Sequence, residues 1–76
     1  MEFEKVPIRT TYISLGQFIK LLNIFESGGI IKHFLQEEGV LVNGVLEHRR
    51  GRKLYENHKV EINGEGDLIV KEENEG

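Results

Sequence analysis

Apolar positions along the chain change their period, and the changes mark its elements. Residues 2–9 alternate in part between apolar and polar side chains and include Pro7, the only proline. Proline cannot donate to a β ladder, so this stretch reads as an edge strand. From Leu15 the period becomes helical. Leu15, Phe18, Ile19 and Leu22 fall on one face, with Gln17 and Lys20 on the other. Ser14-Leu15-Gly16-Gln17 opens that run as a capping box, in which the Ser14 hydroxyl caps the Gln17 amide and Gln17 can reach back. The spacing predicts a first helix over residues 15–23.

A second helix begins after Ser27-Gly28-Gly29, with Ser27 as its N-cap. Ile30, Ile31, Phe34 and Leu35 form its apolar stripe, Lys32, His33, Gln36 and Glu37 face outward, and Gly39 is the stop signal. Two β-favouring runs, Val40-Leu41-Val42 and Val45-Leu46-Glu47, then flank Asn43-Gly44. That pair prefers positive φ and specifies a type I′ hairpin turn. Residues 48–59 read as a polar loop, residues 59–62 as a strand, residues 64–67 as a turn and residues 68–70 as a last strand. Residues 71–76 read as a frayed acidic tail.

The order is a strand, two helices and a meander of about four strands. It predicts an α+β fold in one domain over residues 1–76: two short helices packed on a small, mostly antiparallel sheet. A core of this size leaves only about 3–5 kcal/mol of net stability. The chain has no cysteine, which excludes a disulfide framework and a thiolate metal site. No apolar run approaches the ~20 residues that span a bilayer, and the acidic, mixed start Met1-Glu2-Phe3-Glu4-Lys5 is unlike a signal peptide. A cytoplasmic location is the expectation.

The formal net charge of −3 is unevenly placed. Residues 1–14 balance, residues 15–60 carry seven Lys/Arg against five Glu (+2), and residues 61–76 carry six acids against Lys71 (−5). The acidity sits largely toward the end, an asymmetry typical of interaction surfaces. The densest cluster is His48-Arg49-Arg50-Gly51-Arg52-Lys53, uninterrupted by an acid and following a hairpin. Arginine forks suit phosphate, and Gly51 lets the backbone turn sharply or approach a ligand. The competing reading is a solvated loop. Lys32 and His33 form a second basic element, which Lys20 joins if the two helices lie antiparallel.

Catalytic readings find little support. His33, His48 and His58 lack metal-ligand spacing, Ser14 and Ser27 look like helix caps, and adjacent Glu37 and Glu38 point about 100° apart on a helix. No P-loop signature accompanies Gly28-Gly29. No catalytic residue, metal or cofactor is expected.

The stretch Ser-Gly-Gly-Ile-Ile-Lys-His-Phe-Leu-Gln-Glu-Glu-Gly-Val-Leu-Val-Asn-Gly, from Ser27 to Gly44, with Arg49-Arg50-Gly51-Arg52-Lys53-Leu54 behind it, resembles the ribosomal protein S-four-like RNA-binding domain. Within that family it looks closest to small stand-alone bacterial proteins of the YaaA type. The resemblance covers about residues 13–62. It implies an αL RNA-binding motif whose two helices and following loop face structured RNA. By position, Lys32 matches a basic helix residue, Ser27 the serine of a Ser-Arg pair, and Asn43 and Gly44 the hairpin. The chain departs from the pattern at Ser14-Leu15-Gly16, at Gly28 and at Asn57-His58. Two positions that usually contact RNA carry no charge here, which moves the expected weight onto the basic loop.

The resulting expectation is a non-catalytic binder of structured RNA, ribosomal first and transfer RNA second, with no membrane or DNA partner. Its expected RNA-binding residues are Arg49, Arg50, Arg52, Lys53, Lys32, His33, Lys20, Ser27 and Asn43. The alternative is a protein-docking module on a ribosomal protein or assembly factor.

Overall fold

The computed structural model describes residues 3–63 and 66–73. Among the described residues, seven strands and two helices run in the order β1 (Glu4–Ile8), β2 (Tyr12–Ser14), α1 (Leu15–Leu21), α2 (Gly28–Glu37), β3 (Val40–Val42), β4 (Val45–Glu47), β5 (Lys53–Tyr55), β6 (Lys59–Ile62) and β7 (Gly66–Glu72). Five of the strands form one sheet, ordered β1-β7-β6-β3-β4. Its ladders are antiparallel except β1 with β7, which is parallel. The fold is α+β, with two helices on a mostly antiparallel sheet. β1 lies at the sheet edge, where Pro7 costs no ladder bond.

The period of two decides which face is buried. Val6 and Ile8, Val40 and Val42, Val60 and Ile62, and Leu68 and Val70 turn to one side and are all buried. Leu15, Phe18 and Ile19 of α1 and Ile31 and Leu35 of α2 pack against them in a single core. Both helices start as their caps demand: Ser14 Oγ accepts from Gln17 N–H and Ser27 Oγ from Ile30 N–H, each at 3.3 Å. Ile30, expected in the apolar stripe, is instead exposed, whereas Ile31 and Leu35 are buried. The β3–β4 turn has φ of +51° at Asn43 and +83° at Gly44, as a type I′ turn requires.

Two corrections concern strands. Residues 48–59 are not wholly loop: β5 forms within them and pairs antiparallel with β2, Tyr12 opposite Tyr55 and Ile13 opposite Leu54. Of the β5 residues only Leu54 faces inward, so alternation had nothing to repeat. Residues 71 and 72, expected in a frayed tail, belong to β7. Lys71 registers with Pro7 and Glu72 with Ile8, and Glu73 N–H donates to the Ile8 carbonyl at 2.8 Å. Pairing with the first strand recruits them, a long-range cause that local composition does not carry. Residues 64 and 65 of the expected turn and residues 74–76 lie outside the described residues.

Leu54 is fully buried, and it is the one side chain by which β5 enters the core. Leu54→Ala should cost about 2–4 kcal/mol, most of the stability of a domain this small. Thermal melting checks this: a Tm within a degree or two of the parent would show that β5 is not packed on the core.

Candidate nucleic-acid interface

The basic loop over residues 48–53 is organised by an acid. Glu47 ends β4 opposite Val40 and is buried, with 8% of its surface exposed. Its carboxylate collects five donors. Oε2 accepts from His48 N–H (3.2 Å), Arg49 N–H (3.1 Å) and Arg49 Nε (3.0 Å), and Oε1 accepts from Arg49 Nη2 (3.2 Å) and Arg52 Nη1 (3.1 Å). The Arg49 hydrogen bonds, against the opposing effect of burial and with help from Arg52, hold the Glu47 carboxyl at about 2. The same contacts raise the Arg49 guanidinium above its ordinary value.

Three further ties fix the loop. Leu15 N–H donates to the Arg52 carbonyl at 2.8 Å and Gly16 N–H to the Arg50 carbonyl at 2.9 Å, so the loop satisfies two orphan donors at the start of α1. A Cβ on Gly16 would lie 3.4 Å from Arg50 Cβ, in ordinary contact, so the loop packs closely on the start of α1. His48 Nδ1 donates to the Leu35 carbonyl in the last turns of α2 at 2.7 Å, which places the proton on Nδ1, since a carbonyl only accepts. Gly39, at φ +74°, leaves room for this: a Cβ there would stand 2.8 Å from the Glu47 carbonyl and 2.9 Å from the His48 ring.

Two concavities flank the loop, meeting at Gly51. One, of about 380 Å³, lies between α1, α2 and the loop and is lined by Gln17, Lys20, Gly28 and Arg50. The other, of about 640 Å³, is lined by Arg49, Arg52, Lys53, Tyr55 and His58. His58 Nδ1 accepts from Tyr55 N–H at 3.2 Å. Burial, then the nearby Arg52, lowers its pKa, which favours the neutral ring that accepting at Nδ1 requires.

The S4 domain profile matches residues 6–70. A protein of Bacillus subtilis (strain 168) described as "Probable ribosome maturation protein RlbA" is 51% identical over 65 residues, which span 86% of this chain and 92% of that protein. The chain belongs to the S4 domain family.

In this S4 domain the expected site residues divide into groups. Lys20 and Arg50 meet in the smaller concavity, although Arg50 is distant in sequence. Arg49, Arg52 and Lys53 share the larger one, where Glu47 engages both arginines. Lys32 and His33 are exposed on α2 and line neither concavity. Ser27 serves as the α2 cap. Asn43 sits at the far end of the β3–β4 hairpin from Glu47. Its Oδ1 accepts from Lys59 N–H at 2.8 Å and its own N–H donates to the Lys59 carbonyl at 2.8 Å.

Sequence reasoning placed His48 at the head of the basic cluster but missed Glu47, Tyr12 and Tyr55. A single acid at the end of a hairpin strand, followed at once by arginines, was the available signal for Glu47. The tyrosines gave none, because their pairing depends on β2 and β5. Among the described residues no group of three or more His, Cys, Asp or Glu side chains could hold a metal ion, and no helix is long and apolar enough to cross a membrane.

Glu47 makes a signed prediction. Its carboxyl is held below the ordinary 4.5, so the fold favours the ionised form. The stabilisation is full above that value and is lost as the pH falls toward about 2. Its leading partner, Arg49, is largely exposed, so solvent screening leaves about 1 kcal/mol. Glu47→Gln should lower the Tm at neutral pH by roughly 4–8 °C and flatten the acid limb of stability against pH. An unchanged acid limb in the variant would place the titrating group elsewhere.

Proposed function

We propose that this S4-domain protein is a non-catalytic binder of structured RNA, ribosomal RNA first, acting in ribosome assembly or a ribosome-associated step. The observation that carries the reading is the fixed basic loop beside the two helices, with Arg50 and Lys20 converging on one concavity. Family membership and the ribosome-maturation relative support it. A-form RNA offers side chains its backbone and shape, because its major groove excludes them. A small surface of positioned cations suits that target. Lys20 and Arg50 contact phosphate directly, Arg49, Arg52 and Lys53 flank them, and Lys32 and His33 extend the surface along α2. Ser27 and Asn43 contribute by holding α2 and the hairpin in place.

The two kinds of arginine differ in role. Arg49 and Arg52 neutralise Glu47, whereas no carboxylate lies within ion-pair distance of Arg50 among the described residues. Lys20→Ala with Arg50→Ala should weaken binding to an rRNA fragment about tenfold or more, with the Tm nearly unchanged. Arg49→Ala should lower the Tm as well. For the parent, log affinity against log salt should fall with a slope of roughly −3 to −5. Salt-insensitive binding, or affinity indifferent to the double substitution, would refute the reading. Sequencing of crosslinked RNA separates ribosomal from transfer RNA.

A second reading has one observation in its favour. Leu41 and Leu46, both exposed, line a concavity with Glu38, Glu61 and Asp67 on the hairpin side of the sheet. An acid-rimmed apolar patch suits a basic segment of a ribosomal protein or assembly factor. Leu41→Asp with Leu46→Asp would abolish such docking and leave RNA affinity intact.

A further inference from the structure

The ribbon of β2 and β5 presents two faces. Ile13 and Leu54 turn into the core, so Tyr12 and Tyr55, directly opposed in register, turn outward together with Lys53. Each tyrosine keeps 42% of its surface exposed. Their ring centroids are 5.8 Å apart with the planes tilted by 55°. Lys53 Nζ lies 4.8 Å from the centroid of the Tyr12 ring. His58 stands edge-on to Tyr55 at 5.7 Å. The Tyr55 ring is therefore braced on two sides, yet it lines the 640 Å³ concavity that also receives Arg49, Arg52 and Lys53.

We propose that Tyr55 is a stacking platform for one unpaired RNA base, with Tyr12 and His58 bracing its ring and Lys53, Arg52 and Arg49 facing the adjoining phosphates. This rests on the RNA-binding reading above and adds the class of nucleotide recognised. A cross-strand tyrosine pair would by itself stabilise the ribbon, but that role needs neither a concavity nor three cations around it. Base stacking on an aromatic ring needs both an accessible ring and a neutralised backbone. Bases within a duplex already stack on one another and cannot reach the ring, so the nucleotide must come from a loop, bulge or end. The neutral His58 suits the place: its Nδ1 is committed to Tyr55 N–H, which holds the turn that carries the platform. The smaller concavity, with Lys20 and Arg50, would meet the paired region on the other side of Gly51.

The chain has two tyrosines, Tyr12 and Tyr55, and no tryptophan, so its ultraviolet emission arises at this place. Tyr12→Phe retains a ring and leaves Tyr55 as the sole emitter. The probes are a blunt RNA duplex and the same duplex with a short adenosine overhang. The overhang RNA should bind roughly tenfold more tightly than the blunt one and should quench the Tyr55 emission of the Tyr12→Phe protein, while the blunt duplex leaves it bright. Tyr55→Leu should abolish the preference and keep the affinity for the blunt duplex, whereas Tyr55→Trp should retain the preference. Equal binding of the two RNAs with unquenched emission overturns the platform and leaves the RNA-binding reading standing. Binding of neither RNA overturns both. The emission measurement decides even where Tyr55→Leu lowers stability.

Discussion

A carboxylate removed from water must collect hydrogen bonds or give up its charge. Glu47 collects them, and the rest of the candidate interface depends on how. Its donors come from the next two backbone amides and from two arginines, so satisfying it forces the chain after β4 into one path. That path brings the carbonyls of Arg50 and Arg52 to the first amides of α1, and the His48 ring to the end of α2. One buried acid thereby links the hairpin, both helices and the basic loop. An acid at the base of a basic loop looks counterproductive until its burial is considered. The carboxylate is buried, and its charge orders two guanidinium groups at the base of the loop.

This arrangement also changes the meaning of the positive cluster. As a string of residues, positions 49–53 look equivalent. In the fold they separate into cations that hold the loop and cations that the loop holds out. Side-chain exposure separates the first kind further, at 75% for Arg49 and 32% for Arg52. A loop fixed in this way loses little conformational entropy when it meets a ligand, which favours tighter contact for the same charges. It also divides its surroundings into two concavities of different character, one between helices and one beside aromatic rings.

Local signals made the scaffold legible. The caps at Ser14 and Ser27, the stop at Gly39 and the Asn43-Gly44 turn each act within a few residues, and each was readable as such. The Ser27–Gly44 pattern and the loop behind it led to the family that residues 6–70 match. What stayed hidden depends on partners far apart in sequence. The strands of the β2–β5 ribbon have three residues each, too few for a period to show. The parallel pairing of β1 with β7 leaves no mark on either strand alone, so Lys71 and Glu72 looked like tail. The carboxylate of Glu47 is legible as a charge but not as a hub, because its partners converge only after the loop closes.

The parallel ladder between β1 and β7 bears on how the molecule reaches this state. β7 lies between β1 and β6, so the last strand is an interior member of the sheet. Until it arrives, the first strand has no neighbour and the buried faces of Val6 and Ile8 stay open to water. Closing a loop of nearly the whole chain costs entropy before its contacts return anything. The helices and the hairpin can form early from local contacts, but the sheet cannot be assembled in the order in which the chain emerges. The β1–β7 ladder therefore forms only once residues 66–72 are available to pair with residues 4–8.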